Sequence, residues 1–368
     1  MKKRCLFVIQ NLTKSGSPLT FLHLIKSILS DFDIDVCVTS ALNPDVDLVY
    51  LDEYKKTVSK VHLLKIETHK IINRLFPYRC YRQVIKLLKK EKYDVVVSNA
   101  FEVASLINYK KVEVKNVFYS LDKLLVNSKY KIVNIRKRKM LSRIANADLF
   151  IALTNSCFVE GVDSKSKNAF ILTDYVDIPI LIGEKQFSKS ILKIGTIGYF
   201  SEKKNQIFSL QIIKNLLSRG IDCKLFLMGF YFPNFSEYYN NMVDYINSNN
   251  LMDKVVFLDK DYDKIAFFNE IDVMVAPSLY EGLGLVALES QYRLTPCILS
   301  DNFPKEAQIG LANFVSLEDE NKWADAIINA KGQRPKKPIL TNSFRDQFES
   351  KARNAFKKLV NQGCDYYK

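Results

Sequence analysis

Short apolar runs alternate with segments of helical period from one end of the chain to the other, which predicts parallel strands wrapped by helices, an α/β fold. In the first half the runs place strands at Arg4–Gln10, Asp35–Thr39, Tyr93–Ser98, Asn116–Tyr119, Leu149–Leu153 and Ala169–Leu172. In the second half they fall at Leu192–Ile197, Cys223–Met228, Lys254–Leu258, Val273–Ala276 and Cys297–Leu299. The opening Met1-Lys-Lys-Arg-Cys-Leu-Phe-Val-Ile-Gln10 has a basic head. Its apolar stretch falls short of the roughly 7–15 residues of a signal peptide, so it reads as a buried first strand.

The pattern repeats. Leu6-Phe-Val-Ile-Gln-Asn-Leu-Thr-Lys-Ser-Gly16 leads into an amphipathic stretch, Leu19–Leu29, and Ile194-Gly-Thr-Ile-Gly-Tyr-Phe-Ser-Glu-Lys-Lys204 leads into another, Ile207–Leu217. Both read strand, glycine-containing loop, helix, strand, which suggests two Rossmann-like domains facing across a cleft, with ligand at the carboxyl ends of the strands. A length of 368 residues fits two domains of about 150–200 residues each. The expected division is 1–178, 190–340 and a closing segment, 341–368, whose helix at Phe344–Val360 folds back toward the first domain. Periodicity lapses over Asp177–Ser190, and the loop Gly332-Gln-Arg-Pro-Lys-Lys-Pro338 precedes the last helix.

Composition, 48% apolar and 26% charged, is that of a soluble globular protein, and no window reaches the ~18 apolar residues of a membrane span. Seven cysteines without a CxxC, several inside apolar runs, point to a reducing cytoplasm. His23, His62 and His69 neither cluster with cysteines nor form HExxH, so no zinc site is expected and each reads as a surface or packing residue.

Charge is unevenly spread. Of the net +14, residues 1–180 hold 30 Lys and Arg against 18 Asp and Glu. Residues 55–92 carry 12 basic and 2 acidic side chains among apolar ones, and Lys129–Arg143 adds seven basic residues and no acid. Two solvated helices account for this, and so does a surface docking on anionic lipid, to which each Lys or Arg contributes on the order of 1 kcal/mol. Nucleic acid is set aside, because no recognised motif or glycine-rich aromatic platform is present.

The candidate chemistry lies in Ser278-Leu-Tyr-Glu-Gly-Leu-Gly-Leu-Val-Ala-Leu-Glu-Ser-Gln291. Gly282 and Gly284 permit a tight turn from the strand Val273–Ala276 into a helix starting near Leu283, with Glu281 just before it and Glu289 in its second turn. Such a helix start offers unpaired N–H groups and the positive end of a dipole to phosphate. The rise from Glu281 to Glu289, at 1.5 Å per residue, is ~12 Å, about the span from the ribose hydroxyls to the far hydroxyls of the hexose in a nucleotide sugar. Leu285, Leu288, Glu289 and Tyr292 share one helical face, and a carboxylate on an apolar face needs a partner.

The run Val275–Gln291, followed by Thr295-Pro-Cys-Ile-Leu-Ser-Asp301, resembles the Glu-x7-Glu signature of glycosyltransferase family 4, GT-B fold. Ser300–Glu306 and Phe314–Leu317 resemble its exopolysaccharide and capsule branch in Gram-positive bacteria. The resemblance implies transfer of a hexose or N-acetylhexosamine, with retention and no bound metal, from a nucleotide sugar (a UDP-sugar above all) to a polyprenyl-diphosphate-linked glycan. Together with the cysteine usage and the basic first domain, this points to a cytoplasmic protein peripheral to the inner face of the membrane. Glu281 would take the hexose hydroxyls and Glu289 the ribose hydroxyls, with Gly282, Leu283 and Gly284 giving N–H groups to the sugar and pyrophosphate. Lys204, in the loop with Gly198 and Tyr199, matches the lysine that meets the diphosphate, and Gly16 with Ser17 sits where the family's first loop approaches donor and acceptor.

Several positions depart from that pattern. Tyr199 stands where many members have arginine, Ser120 and Asp122 where many have a histidine near the sugar, and Arg293-Leu294 where a glycine is usual. These departures motivate a second reading, a catalytically silent GT-B accessory subunit that binds a glycan or a partner glycosyltransferase. A nucleotide-sugar epimerase is a third, weakened by the lack of a carboxylate-rich acid/base set. Asp-x-Asp, the metal motif of the other glycosyltransferase fold, occurs at Asp45/Asp47, Asp31/Asp33, Asp33/Asp35, Asp259/Asp261 and Asp261/Asp263, too often to discriminate.

Overall fold

The structure, a computed structural model, describes residues 2–13, 15–41, 46–65, 81–110, 112–123, 131–159, 162–163, 165–166, 168–179, 191–231, 236–331 and 343–361. The chain divides into two units, Met1–Asp174 with Phe344–Lys368, and Tyr175–Ser343.

In the first unit β1 (Lys3–Ile9), β2 (Phe32–Val38), β3 (Lys60–Leu63), β4 (Val95–Ser98), β5 (Lys115–Ser120), β6 (Leu149–Ala152) and β7 (Ala169–Ile171) form a parallel sheet in the order β3-β2-β1-β4-β5-β6-β7. The central strand β1 is buried from Cys5 to Ile9, as expected of a continuous apolar run covered on both faces. The accompanying helices are α1 (Gly16–Ile28), α2 (Leu48–Thr57), α3 (Arg82–Glu91), α4 (Phe101–Lys110) and α5 (Lys131–Ile144).

In the second unit β8 (Leu192–Ile197), β9 (Cys223–Met228), β10 (Val255–Leu258), β11 (Val273–Ala276), β12 (Cys297–Ser300) and β13 (Ala312–Val315) form a parallel sheet in the order β10-β9-β8-β11-β12-β13. Its helices are α6 (Gln206–Ser218), α7 (Ser236–Ser248), α8 (Lys264–Glu270), α9 (Leu285–Tyr292) and α10 (Glu320–Ala330). Trp323 anchors the core, edge-on to Phe208 at 5.6 Å, with its indole N–H donated to the Ser316 carbonyl at 2.8 Å. The last helix, α11 (Ser343–Asn361), packs in the first unit, where Phe356 meets Phe32 edge-on at 5.9 Å and Lys357 pairs with Asp31 at 3.5 Å.

Each sheet reverses its strand order beside its first strand, between β1 and β4 and between β8 and β11. Such a switch point opens a crevice outside the carboxyl ends of the strands, where this architecture binds ligands.

The predicted strands all form. Two edge strands were not predicted: β3 and β13 are short, mostly half-exposed and without an apolar run. Part of the basic stretch 55–92 is therefore strand, and its residues 66–80 lie outside the described residues, as do Asp45, His69, Lys129, 180–190 and 332–338. Among the described residues no helix is long and apolar enough to cross a membrane, and no group of three His, Cys, Asp or Glu is placed to hold a metal.

His23 is more than a packing residue. It is fully buried, its Nδ1 lies 2.8 Å from Asp174 Oδ1, and Thr20 donates its hydroxyl to Asp174 Oδ2 at 2.5 Å.

Candidate active site

The second unit's switch point is built from the loops after β8 and β11. Gly198 turns the first loop at φ +146°, and its carbonyl occupies the space where a side chain on Gly229 would begin, so the loops after β8 and β9 pass in near contact. Gln206 then ties the loop down. Its amide donates to the Tyr199 carbonyl at 3.1 Å and its Oε1 accepts from the Ser201 N–H at 3.3 Å. The two loops join where Leu279 donates its N–H to the Lys203 carbonyl at 2.8 Å.

That framework brings Lys204 onto Glu281. The Lys204 ammonium donates to Glu281 Oε1 at 2.5 Å, and Lys203 Nζ lies 4.0 Å from Oε2 and 4.7 Å from the Tyr280 ring centroid. Burial pushes the Glu281 carboxyl up, but the Lys204 and Lys203 charges and hydrogen bonds from Lys204 and Ser278 outweigh it, and the net shift is below the ordinary 4.5. Glu281 is therefore a buried, ionised acceptor. Lys203 was not singled out in sequence, because a Glu-Lys-Lys turn reads as solvated surface. It puts a second ammonium near the loop in which Tyr199 stands in place of arginine.

Glu289 sits on α9, which begins at Leu285, two residues later than predicted. Gly284 is its left-handed cap at φ +74°, and a side chain there would run into the Phe303 ring. Gly282 and Leu283 are buried in the turn. The first steps from Glu281 are thus turn, not helix, and the ~12 Å helical rise does not give the separation of the two carboxylates. Burial also wraps further round α9 than the predicted face, covering Ala287, Leu288, Glu289, Ser290 and Gln291. The partner that a buried Glu289 requires is Lys264, whose ammonium donates to Oε1 at 2.6 Å, while Oε2 is buried without a hydrogen-bond partner among the described residues.

The carboxyl end of α9 explains the missing glycine. Thr295 donates its N–H to the Ser290 carbonyl and Leu294 to the Gln291 carbonyl, both at 2.9 Å, a Schellman motif whose left-handed position is occupied by Leu294 at φ +54°. Leu294 is buried, so truncating it is expected to cost about 2–4 kcal/mol. Leu294→Ala keeps the strained backbone and Leu294→Gly relieves it. In denaturant unfolding the glycine variant should therefore be the more stable of the two by about 1 kcal/mol, the reverse of the usual helix order. An alanine variant as stable as the glycine variant would refute this account of the turn.

The remaining candidates lie in the first unit, at the carboxyl ends of its strands. Gly16 and Ser17 open α1 and are exposed. Ser120 closes β5, buried, with its Oγ 3.4 Å from the Asp122 carbonyl, and Asp122 Oδ1 accepts from the Lys123 N–H at 2.9 Å. The structure thus gathers Gly198, Tyr199, Lys204, Glu281, Gly282, Leu283, Gly284 and Glu289 in one unit, and Gly16, Ser17, Ser120 and Asp122 in the other. Members of the Asp-x-Asp pairs have structural work: Asp47 caps α2, Asp263 caps α8 and Asp35 pairs with Arg4 at 3.0 Å.

Residues 179–349 match the Glycosyl transferases group 1 family. The chain is 33% identical over 157 residues to EpsF of Bacillus subtilis (strain 168), an alignment spanning 42% of this chain and 40% of that protein. It is 21% identical over 313 residues, 83% of each chain, to the capsular polysaccharide biosynthesis glycosyltransferase CapH of Staphylococcus aureus. In structure it is similar to Anabaena HepE, crystallised with UDP and glucose, at a TM-score of 0.73 and 14% identity over 97% of this chain and 99% of that one. The chain therefore carries a group 1 glycosyltransferase domain over residues 179–349, within a GT-B fold of two Rossmann-like units.

Proposed function

We propose that this chain is a retaining glycosyltransferase of surface polysaccharide synthesis. It moves a hexose or N-acetylhexosamine from a nucleotide sugar to a polyprenyl-diphosphate-linked glycan. The observation that carries this reading is the pair of buried carboxylates flanking the start of α9, one held by Lys204 and the other with a free oxygen. A hydroxyl donor is what a buried, unsatisfied carboxylate oxygen lacks, and vicinal sugar hydroxyls supply it. In this reading Glu289 accepts from the ribose and Glu281 from the hexose. Lys204, Lys203 and the N–H groups of Gly282, Leu283 and Gly284 meet the diphosphate. HepE's UDP complex makes a UDP-sugar the first donor to test.

The acceptor oxygen attacks the anomeric carbon on the side the diphosphate leaves, through an oxocarbenium-like transition state. As the new carbon–oxygen bond forms, the bond to the β-phosphate oxygen breaks with its electron pair passing to the diphosphate, which also takes the acceptor proton. Charge grows on the leaving group beside Lys204, so that cation stabilises the transition state more than the ground state. The first unit, with Gly16, Ser17, Ser120 and Asp122, holds the acceptor. Its basic α3 buries Val84 and Leu88 while exposing Arg82, Lys86, Lys89 and Lys90, which supports docking on anionic lipid at the cytoplasmic face.

Transfer assays with a panel of nucleotide sugars and a polyprenyl-diphosphate-linked acceptor in anionic vesicles test this. The expected product keeps the donor's anomeric configuration, and the protein floats with anionic vesicles at low salt and leaves them at high salt. Inversion would overturn the mechanism. Donor binding without transfer or hydrolysis would favour the accessory-subunit reading.

A further inference from the structure

We infer that Lys264 is a positioning residue for the nucleotide ribose: its ammonium holds Glu289 Oε1, which reserves Oε2 as the acceptor for the ribose hydroxyls. The inference rests on the reading of Glu289 as the ribose ligand and extends it to a residue outside the motif.

The geometry is asymmetric. Lys264 Nζ donates to Glu289 Oε1 at 2.6 Å, with the lysine side chain 40% exposed and the glutamate 7%. A half-exposed cation reaching a buried anion spares the carboxylate the desolvation cost of a lone charge without itself leaving water. The second oxygen is buried and unsatisfied among the described residues, an arrangement a purely structural ion pair would not favour, since an unmet buried acceptor destabilises the fold.

The placement of Lys264 points the same way. It is the first residue of α8, directly after the Asp263 cap, whose Oδ1 accepts from the Ala266 N–H at 2.6 Å. A cation at a helix start opposes the helix dipole, so Lys264 does not serve α8 itself. Nor is it needed to dock α8 on α9. Arg293 does that at the other end, donating to Asn269 Oδ1 at 3.1 Å and to the Pro179 carbonyl at 2.9 Å. Gln291 fixes α9 further through its Oε1, which accepts from the Leu311 N–H at 2.9 Å. Removing the Lys264 ammonium therefore frees the Glu289 carboxylate while the helix pair stays in place.

The test compares nucleotides with and without ribose hydroxyls. UDP, GDP and ADP and their 2′,3′-dideoxy counterparts are titrated into the full chain, and the diphosphate that wild type binds most tightly is followed in the variants. Lys264→Met is expected to weaken the ribonucleotide by about tenfold, the worth of one charge-assisted hydrogen bond. The dideoxy nucleotide should change less than about twofold, and Lys264→Arg should recover most of the loss. Equal weakening of both nucleotides would make Lys264 a tether only and overturn the proposal. No weakening by Lys264→Met while Glu289→Gln still costs the ribonucleotide would also overturn it and leave the ribose role of Glu289 standing. If Glu289→Gln fails to distinguish the two nucleotides, or no diphosphate binds wild type, the donor reading falls and the proposal with it.

Discussion

Lys204→Ala is expected to lower kcat by about 10²–10³ with the donor that wild type uses, the usual loss when one group meeting transition-state charge is removed. The reason is local. Lys204 donates to a buried carboxylate at 2.5 Å, in a loop that Gln206 and Leu279 fix through backbone contacts, so no other side chain moves readily into its place. Lys203, 4.0 Å from the same carboxylate, retains part of the field and keeps the loss from being total. The variant also carries a pH signature. In wild type the Glu281 carboxyl titrates below its ordinary 4.5, so the stability it supplies is present above that value and lost as pH falls through the lowered one. Without Lys204, burial becomes the larger influence and favours the protonated form. The stability gap between wild type and variant should therefore narrow as pH falls toward 4. A kcat within threefold of wild type, or a gap that widens in acid, would refute the role given to Lys204.

Asp174→Ala is expected to destabilise the first unit by about 3–5 kcal/mol, because it removes a buried carboxylate on which two buried polar side chains converge. Asp174 takes a hydrogen bond from Thr20 at 2.5 Å and meets His23 Nδ1 at 2.8 Å, and all three side chains are buried. The His23 ring in turn stands edge-on to Phe348 of α11 at 6.5 Å, so the loss reaches the packing of the last helix. A shift of roughly 10 °C in the first unit's thermal transition follows from such a loss in a domain of this size. Asp174→Asn, which keeps one acceptor, should lose less. A transition within a degree or two of wild type would show that the cluster contributes little.

The central strands and the glutamate pair were legible in sequence because their signals are local. β1 and β11 are built on continuous apolar runs, and Gly282 and Gly284 mark the turn into α9 without help from the rest of the chain. The edge strands β3 and β13 carry no such run. β3 exposes Lys60 and Leu63 and finds its place only by pairing with β2, and β13 only by pairing with β12. The partners of the carboxylates were hidden for a related reason. Lys204 and Glu281 are 77 residues apart in sequence, Lys264 and Glu289 are 25, and His23 and Asp174 are 151. Folding alone makes them neighbours, and a lysine in a polar turn looks the same whether it faces water or an anion. Leu294 is a mixed case. The departure from glycine was visible in sequence, but its meaning, a left-handed Schellman position held by a buried leucine, required the backbone.

In the proposed mechanism Glu281 and Glu289 clamp a nucleotide sugar at the start of α9. Calorimetric titration of UDP-glucose and a panel of other nucleotide sugars into wild type, Glu281→Ala and Glu289→Ala measures that clamp. Each variant is expected to bind the preferred donor at least about tenfold more weakly, since each loses a charged hydrogen-bond acceptor in a buried site. Variants that bind that donor as tightly as wild type would rule out the glutamate clamp.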